Sequence, residues 1–425
     1  MSDRWLSSSR TLSLLFPAGC LCFAVLLGLP GAVYAPDAGY YRLLALGQRA
    51  AVPAPFSARI LGPAIAGFLG RWTGVGVDTG FLLLGIVCLV ALLALIAGLL
   101  WSWRAPVAMF AAIFLMPFWV DIFHDYYLPD LLHAAILAGI LVCLRFGHTR
   151  TALLLLLPAY LARESTALVA LCLIFAGWRR IRLSSAVVGV LAILCAGLVS
   201  RHYGQGGPAS VHGMTGGAYI LGKLVWSFFK NVLGLPLWSN TLPECNPIWV
   251  KALPPGFHLG AIRQVGLCQP NVWGPARLLL AWFGIFGIGP ALALVLWRKM
   301  VSPDSPANDR PLGEEIVLRF CMLYGVISIL MTPLLGASAD RLVEYGWPFY
   351  FVVLPRFVSA VYHLSGMRTA VMLLLHLLTC WLAWLGFRQQ IPSFLFTGLA
   401  VVALNGVSYA LIRRFEPVRL INPIR

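Results

Sequence analysis

The sequence predicts an all-α polytopic membrane protein, and three observations predict it. The 425 residues are 60% hydrophobic and only 11% charged, whereas a soluble domain carries about a quarter charged residues. Mean hydropathy is +0.86. The apolar runs approach or reach the roughly 20 residues that a spanning helix needs, and they lack the short alternating segments of a membrane β-barrel. We expect one integral domain over residues 1–425, with about 10–12 transmembrane helices. The formal charge of +16 belongs at cytoplasmic span ends, where arginines fix orientation. No compact basic domain is present to bind a duplex, so no nucleic-acid partner is expected.

Taken in order, Arg4 and Arg10 precede a first span over 11–34. That run is long for the apolar core of a signal peptide, and it reads as a retained span. A first outer loop with interfacial helices follows over 35–78. It reads YAPDAGYYRLLALGQRAAVPAPFSARILGP from Tyr34 to Pro63. It holds a lone acid, Asp37, then Tyr40, Tyr41 and Arg42, a Pro/Ala hinge, and Arg59. An amphipathic piece over 58–72 leads to span 2 (79–101). Span 3 (105–120) goes out to DIFHDYYLPD and span 4 (128–144) returns.

Residues 151–178 are flanked by basic clusters on both sides, Arg145 and Arg150 before, Arg179, Arg180 and Arg182 after. Positive-inside bias puts both ends in the cytoplasm. Each arm around Arg163-Glu164 is then about 12 residues, or roughly 18 Å of helix against a core near 30 Å. This predicts a short re-entrant hairpin with Arg163-Glu164 at its tip. One tilted span with a misassigned end is the alternative. Span 6 (186–200) goes out to a long outer loop over 201–274, whose aromatic stretch between Lys223 and Lys230 suits an interfacial helix. Spans 7 to 11 (275–297, 316–335, 347–362, 369–387, 392–412) finish the chain, and residues 301–315 form a cytoplasmic loop. Both termini are then cytoplasmic.

Eight of the ten cysteines lie in or beside apolar runs and read as small core residues. Cys245 and Cys268 share the polar outer loop and are disulfide candidates in an oxidising compartment. Two unpaired loop cysteines are the other reading.

This topology sorts the acids. Asp37, Asp78, Asp121, Asp125, Asp130, Glu164, Glu244, Asp340 and Glu344 fall at the outer rim, nine of fifteen. Rim and intramembrane ionisable residues are functional candidates, and several sit beside bases: Arg163-Glu164, Asp340-Arg341, His124-Asp125. Each has a plainer reading. Asp37 can cap a loop helix. Arg163-Glu164 can be a structural pair, and Asp340-Arg341 a solvated turn. His124-Asp125 lacks the wider ligand spacing of a metal site. There is no phosphate-binding loop, nucleophile elbow or dinucleotide fingerprint.

An acid just after span 1, PFSARILGP in the outer loop, ARES at a hairpin tip and a late DR resemble GT-C-type integral membrane glycosyltransferases, and more closely the uncharacterised bacterial members. The resemblance covers the whole span pattern through short, degenerate motifs. It implies an outer-face cavity in the bacterial inner membrane. It implies a polyprenyl-phosphate sugar as donor substrate, a glycan, lipid or protein acceptor, and contact with membrane lipids. Asp37 matches the family's general base. Arg59, Arg163 and Arg341 match its donor-phosphate holders, and Tyr40, Tyr41, His124, Asp125, Asp130, Glu164 and Asp340 are supporting candidates. Many members pair two acids in the first loop, and Asp37 has no adjacent acid. The acceptor class and any divalent metal therefore stay open, and no bound cofactor is expected. Tyr126 and Tyr127 could stack on sugars or anchor the interface. A transporter or flippase of lipid-linked sugars would line its cavity with the same charges. The chain shows no internal repeat of the kind common in transporters, and its charges gather on one side. A scaffold for envelope assembly would not need Asp37.

Overall fold

The structure is a computed structural model. It describes residues 19, 37–53, 55–103, 113–177, 183–203, 216–240, 245–254, 256, 262–289, 291–292, 312–335, 343–354, 366–388 and 393–414. The described residues are mostly helical, 78%. Among the described residues four helices are long and apolar enough to cross a membrane: Val77–Ser102, Ala186–Tyr203, Gly313–Leu334 and Leu395–Arg414. Span 1 of the sequence reading falls almost wholly outside the described residues, as does the first half of span 3, and Glu244, Asp340 and Arg341 lie outside them too.

The first described helices are α1 (Ala38–Ala45), α2 (Leu61–Thr73) and α3 (Val77–Ser102). Helix α2 ends on Gly74 in the left-handed conformation, φ 71°, which lacks the Cβ penalty other residues meet there. The chain reverses within three residues and α3 packs back along α2. The two backbones come so close that a Cβ on Gly80 would run into the carbonyl oxygen of Ala66. Small residues are what permit such contact between membrane helices.

Helices α4 (Phe118–His124) and α5 (Asp130–Arg145) follow. Next come α6 (Thr149–Leu154), α7 (Leu156–Ala162) and α8 (Thr166–Gly177). The predicted arms on either side of Arg163-Glu164 are thus helical, with the helix broken at residues 163–165. Helix α9 (Leu183–Tyr203) packs on α6 and α7, and α8 packs on α12 (Leu312–Leu335). Helix α10 (Gly216–Asn231), α11 (Trp273–Phe286), α13 (Gly366–Arg388) and α14 (Ser393–Arg414) complete the helices. A π-helical turn, Phe349–Val353, packs Phe351 against Phe118 and Trp119 at ring distances of 5.1 and 5.3 Å.

The bundle has two polar ends separated by an apolar middle. At one end Arg145 reaches Ser102 and pairs with Glu314 at 3.6 Å. At the other, Asp78 at the start of α3 pairs with Arg42 at 2.9 Å and accepts from Tyr127 at 3.2 Å. Between them, Phe81, Leu89, Leu92, Leu93, Leu137 and Leu141 are fully enclosed.

Two features differ from the sequence reading. The eighth span begins earlier, so Glu314 and Glu315 lie in the first turn of α12 rather than in a loop, and both are buried. Acids in that turn face the positive end of the helix dipole, and each also meets an arginine, Arg145 and Arg319. The long loop after α9 holds strands that were not expected: β1 (Leu237–Ser239), β2 (Trp249–Ala252) and β3 (Gln264–Leu267). They form an antiparallel sheet in the order β1-β3-β2, with Leu237 and Trp249 both opposite Leu267. A disulfide joins Cys245, between β1 and β2, to Cys268 at the end of β3, with Cα atoms 6.1 Å apart.

Two outcomes follow from this packing. Gly80→Val wedges α2 from α3 and is expected to cost about 1–3 kcal/mol or more, read as a lower melting temperature in detergent; Gly98→Val, at a site with open space around it, is the control. Cys268→Ser opens a loop with a sequence separation of 23, worth roughly 3 kcal/mol. Intact mass after alkylation, with and without reductant, should show two thiols appearing only on reduction.

Candidate functional site

The polar side chains predicted to matter converge at the end of the bundle that holds Asp78. The centre is Arg59, which follows a short 3-10 turn, Phe56–Ala58, ahead of α2. Arg59 is buried. Its Nε and Nη2 donate to the two carboxylate oxygens of Glu164 at 2.8 and 2.5 Å. Its Nη1 donates to the Tyr41 hydroxyl at 2.7 Å. The fork geometry of a guanidinium suits this two-point grip on a carboxylate. Phe56 lies under the guanidinium at 5.4 Å and stacks on Tyr40 at 4.9 Å.

A second pair stands beside the first. Arg163, adjacent in sequence to Glu164, pairs with Asp130 at the start of α5, and both are buried. The Tyr345 hydroxyl donates to the same carboxylate, and the Arg163 guanidinium lies 4.5 Å from the centre of the Tyr345 ring. Below Asp130 on the same helix face, His133 Nε2 lies 3.1 Å from the Thr166 hydroxyl. That hydroxyl donates to the Arg163 carbonyl at 2.8 Å, so it accepts from an Nε2–H of His133.

The pairing is crossed. Arg163 and Glu164 do not serve each other; each takes its partner from another part of the chain. One turn of backbone is thereby tied to the segment ahead of α2, to α5 and to the segment carrying Tyr345. Removing one member of a buried pair is costly because it leaves an uncompensated charge.

The cluster opens to solvent at Glu164, whose side chain is 42% exposed while that of Arg59 is 8%. Burial alone would raise the Glu164 pKa. The facing Arg59 guanidinium, its hydrogen bonds and then Arg163 outweigh burial and hold it down at about 2. Burial pushes the Tyr41 phenol up, although Arg59 pulls the other way.

Of the candidates read from the sequence, Tyr41, Arg59, Asp130, Arg163 and Glu164 are brought together. Asp37 flanks the start of α1, half-buried, one helical turn ahead of Tyr41. Residues four apart share a helix face with Cβ atoms about 5–6 Å apart. Asp37 therefore stands on the side of α1 that carries Tyr41 to Arg59. Tyr40 is half-buried against Phe56. His124 and Asp125 close α4, half-buried, and among the described residues none of the hydrogen bonds above involves them. Tyr127 is a core residue tied to Asp78, packed 4.9 Å from Phe81. Asp340 and Arg341 lie outside the described residues. Among the described residues no group of three or more His, Cys, Asp or Glu could hold a metal ion.

The sequence reading missed His133, Thr166 and Tyr345. His133 and Thr166 were polar residues inside apolar runs, which was a usable signal. Tyr345 is 215 residues from Asp130, and nothing local marks it. No protein-family profile, curated protein or solved structure matches this chain.

The crossed pair gives a testable coupling. Glu164→Gln should lower stability by about 1–3 kcal/mol, because it strands a buried guanidinium. Arg59→Met should cost less in the Glu164→Gln background than alone, measured by a double-mutant cycle of melts in detergent; additive losses would show that the pair is uncoupled. Glu164 titrates below its ordinary 4.5 when folded, so its contribution is full above pH 4.5 and is lost as pH falls to about 2. Glu164→Gln should flatten that acid limb of the stability curve.

Proposed function

We propose that the chain is a membrane glycosyltransferase of the GT-C type, moving a sugar from a polyprenyl-phosphate-linked donor to an envelope acceptor on the outer face of the bacterial inner membrane. The observation that carries this reading is the convergence of the first loop's Tyr41 and Arg59 with the Arg163-Glu164 turn and Asp130 at one end of the helices, with Asp37 one helical turn ahead of Tyr41. In the proposed reaction Asp37 takes the proton from an acceptor hydroxyl. The acceptor oxygen bonds to the anomeric carbon as the bond from that carbon to the lipid phosphate oxygen breaks. A single displacement inverts the anomeric centre. The departing phosphate takes the electron pair, and guanidinium groups stabilise its charge.

Arg59 and Arg163 already hold carboxylates, which shapes how they can serve a phosphate. A guanidinium has five N–H donors, more than the three Arg59 uses here. Glu164 is the half-exposed partner and thus the exchangeable one. A phosphate would approach Arg59 from that side.

The chain course supports a short re-entrant hairpin around Arg163-Glu164. Arg163 meets Asp130 at the site end. Ser200, late in α9, also reaches that end, donating to the Ala58 carbonyl at 2.9 Å. Early in α9, Gly189 sits against Leu153 and Leu156, in the middle of the preceding arm. Two successive outward courses require a return between them, and α8 supplies it. Its 12 residues make roughly 18 Å of helix, well short of a core near 30 Å. On this reading both termini are cytoplasmic.

The test is sugar transfer from a polyprenyl-phosphate donor in nanodiscs, alongside donor binding. Asp37→Asn should fold and bind donor while turnover falls by about a hundredfold or more. Arg163→Ala should weaken donor binding as well. Wild-type turnover in Asp37→Asn would remove the catalytic role, and a protein that only translocates the lipid-linked sugar would make it a flippase.

A further inference from the structure

The enclosed arginines of the described residues have one outlier. Arg59, Arg145 and Arg163 each face a carboxylate. Arg277, half-buried on the first turns of α11, pairs with none among the described residues. Its guanidinium lies instead 4.5 Å from the ring centre of Phe387 and 5.7 Å from that of Trp273. Aromatic contact occupies the face of a guanidinium and leaves its N–H edge directed outward in plane. A half-buried cation without a counter-charge is unfavourable, so an anion beside it is the expected complement.

A cavity of about 60 Å³ adjoins this edge. Its lining includes Lys230, Asn231, Asn271, Trp273 and Arg277, with no acidic side chain among the described residues. By the usual measure that is room for roughly four waters. Asn271 uses its side-chain oxygen to cap Trp273 N at 2.9 Å, which leaves its amide nitrogen as a donor. The first turn of α11 borders the cavity, adding the positive end of a 14-residue helix. Exposed apolar side chains flank these residues in sequence: Val232 and Leu233 after Lys230, Val272 before Trp273, and Leu279 after Arg277.

We propose that this pocket binds a phosphoryl group through Arg277 and Lys230, and that in the membrane the group is the headgroup phosphate of an anionic phospholipid whose tails rest on the flanking apolar side chains. The fork of Arg277 matches two phosphoryl oxygens, and Lys230 adds a point charge. None of these residues belongs to the Arg59–Glu164 cluster, and the proposal does not rest on the reaction proposed above.

The experiment uses the full chain, purified and delipidated in detergent, with bound lipid counted by native mass spectrometry and stability read by thermal shift. Phosphatidylglycerol, phosphatidylcholine and inorganic phosphate are added separately. Wild type should retain phosphatidylglycerol in preference to phosphatidylcholine, and Arg277→Gln should lower that retention roughly tenfold. Arg277→Lys, which keeps charge and loses the fork, should fall between. If Arg277→Gln does not fold, Lys230→Gln carries the same test. A shift with inorganic phosphate that depends on Arg277, without lipid preference, supports the phosphoryl site with free phosphate as its source. Equal retention of both lipids with no phosphate shift, or phosphatidylglycerol retention unchanged in both variants, overturns the proposal.

Discussion

Enclosing two guanidinium groups is the constraint on which the site end of this protein depends. Arg59 and Arg163 are both buried, and a cation enclosed away from water must find an anion and hydrogen-bond acceptors nearby. The solution is crossed pairing through one turn, residues 163–165. Had Arg163 paired with its neighbour Glu164, the turn would have satisfied itself and tied nothing. Because Glu164 reaches Arg59 and Arg163 reaches Asp130, the turn fastens the segment ahead of α2 to α5. Tyr345 extends the tie to the later half of the chain. The helix break itself follows: Arg163 takes an extended conformation, φ −158° and ψ 133°, so that successive side chains face different partners.

The other end is held more simply. Arg145, Ser102 and Glu314 join the termini of three helices. The long α3 between the two polar ends has no amphipathic pattern, as expected for a helix hydrophobic all round. What sets its position is close packing against α2 at Gly80, the Asp78–Arg42 pair at one end and the Arg145 hydrogen bond to Ser102 at the other.

Much of this was legible in the sequence and some was not, for identifiable reasons. Apolar run length marked the long helices, because lipid imposes a minimum length on a helix that must satisfy its own backbone. Asp130, Arg163 and Glu164 were legible as candidates because charge inside or beside an apolar run is costly. Their partners were not, since adjacent opposite charges suggest a local pair and only the tertiary arrangement shows the cross. The sheet was hidden by shortness. Its strands are three and four residues long, interrupted by prolines, and too brief for alternation to register. The two cysteines were the remaining sign that the segment has its own order, and the disulfide now ties the β1–β2 connection to the end of the central strand, β3. Glu314 and Glu315 were misplaced because acids at a span's start look like loop residues until the arginines facing them are known.

Charge balance at the cluster bears on what it can receive. Arg59 and Arg163 are matched by Glu164 and Asp130, so the cluster is neutral as it stands. A neutral site attracts an anion weakly at long range, so on the proposed reading a phosphate would bind by exchange of partners. The two pairs are unequal in this respect. Asp130 is buried and accepts from both Arg163 and Tyr345, so releasing it would strand a carboxylate. Glu164 is 42% exposed, and water can take over its hydrogen bonds when it leaves Arg59. Exchange at Arg59 is therefore the less costly of the two, while the Arg163–Asp130 pair keeps the turn fastened. Tyr41 accepts from the exchangeable arginine, and Asp37 precedes it by one helical turn on α1, so that on the proposed reading a phosphate taken up at Arg59 would be held by the helix that also carries the acid.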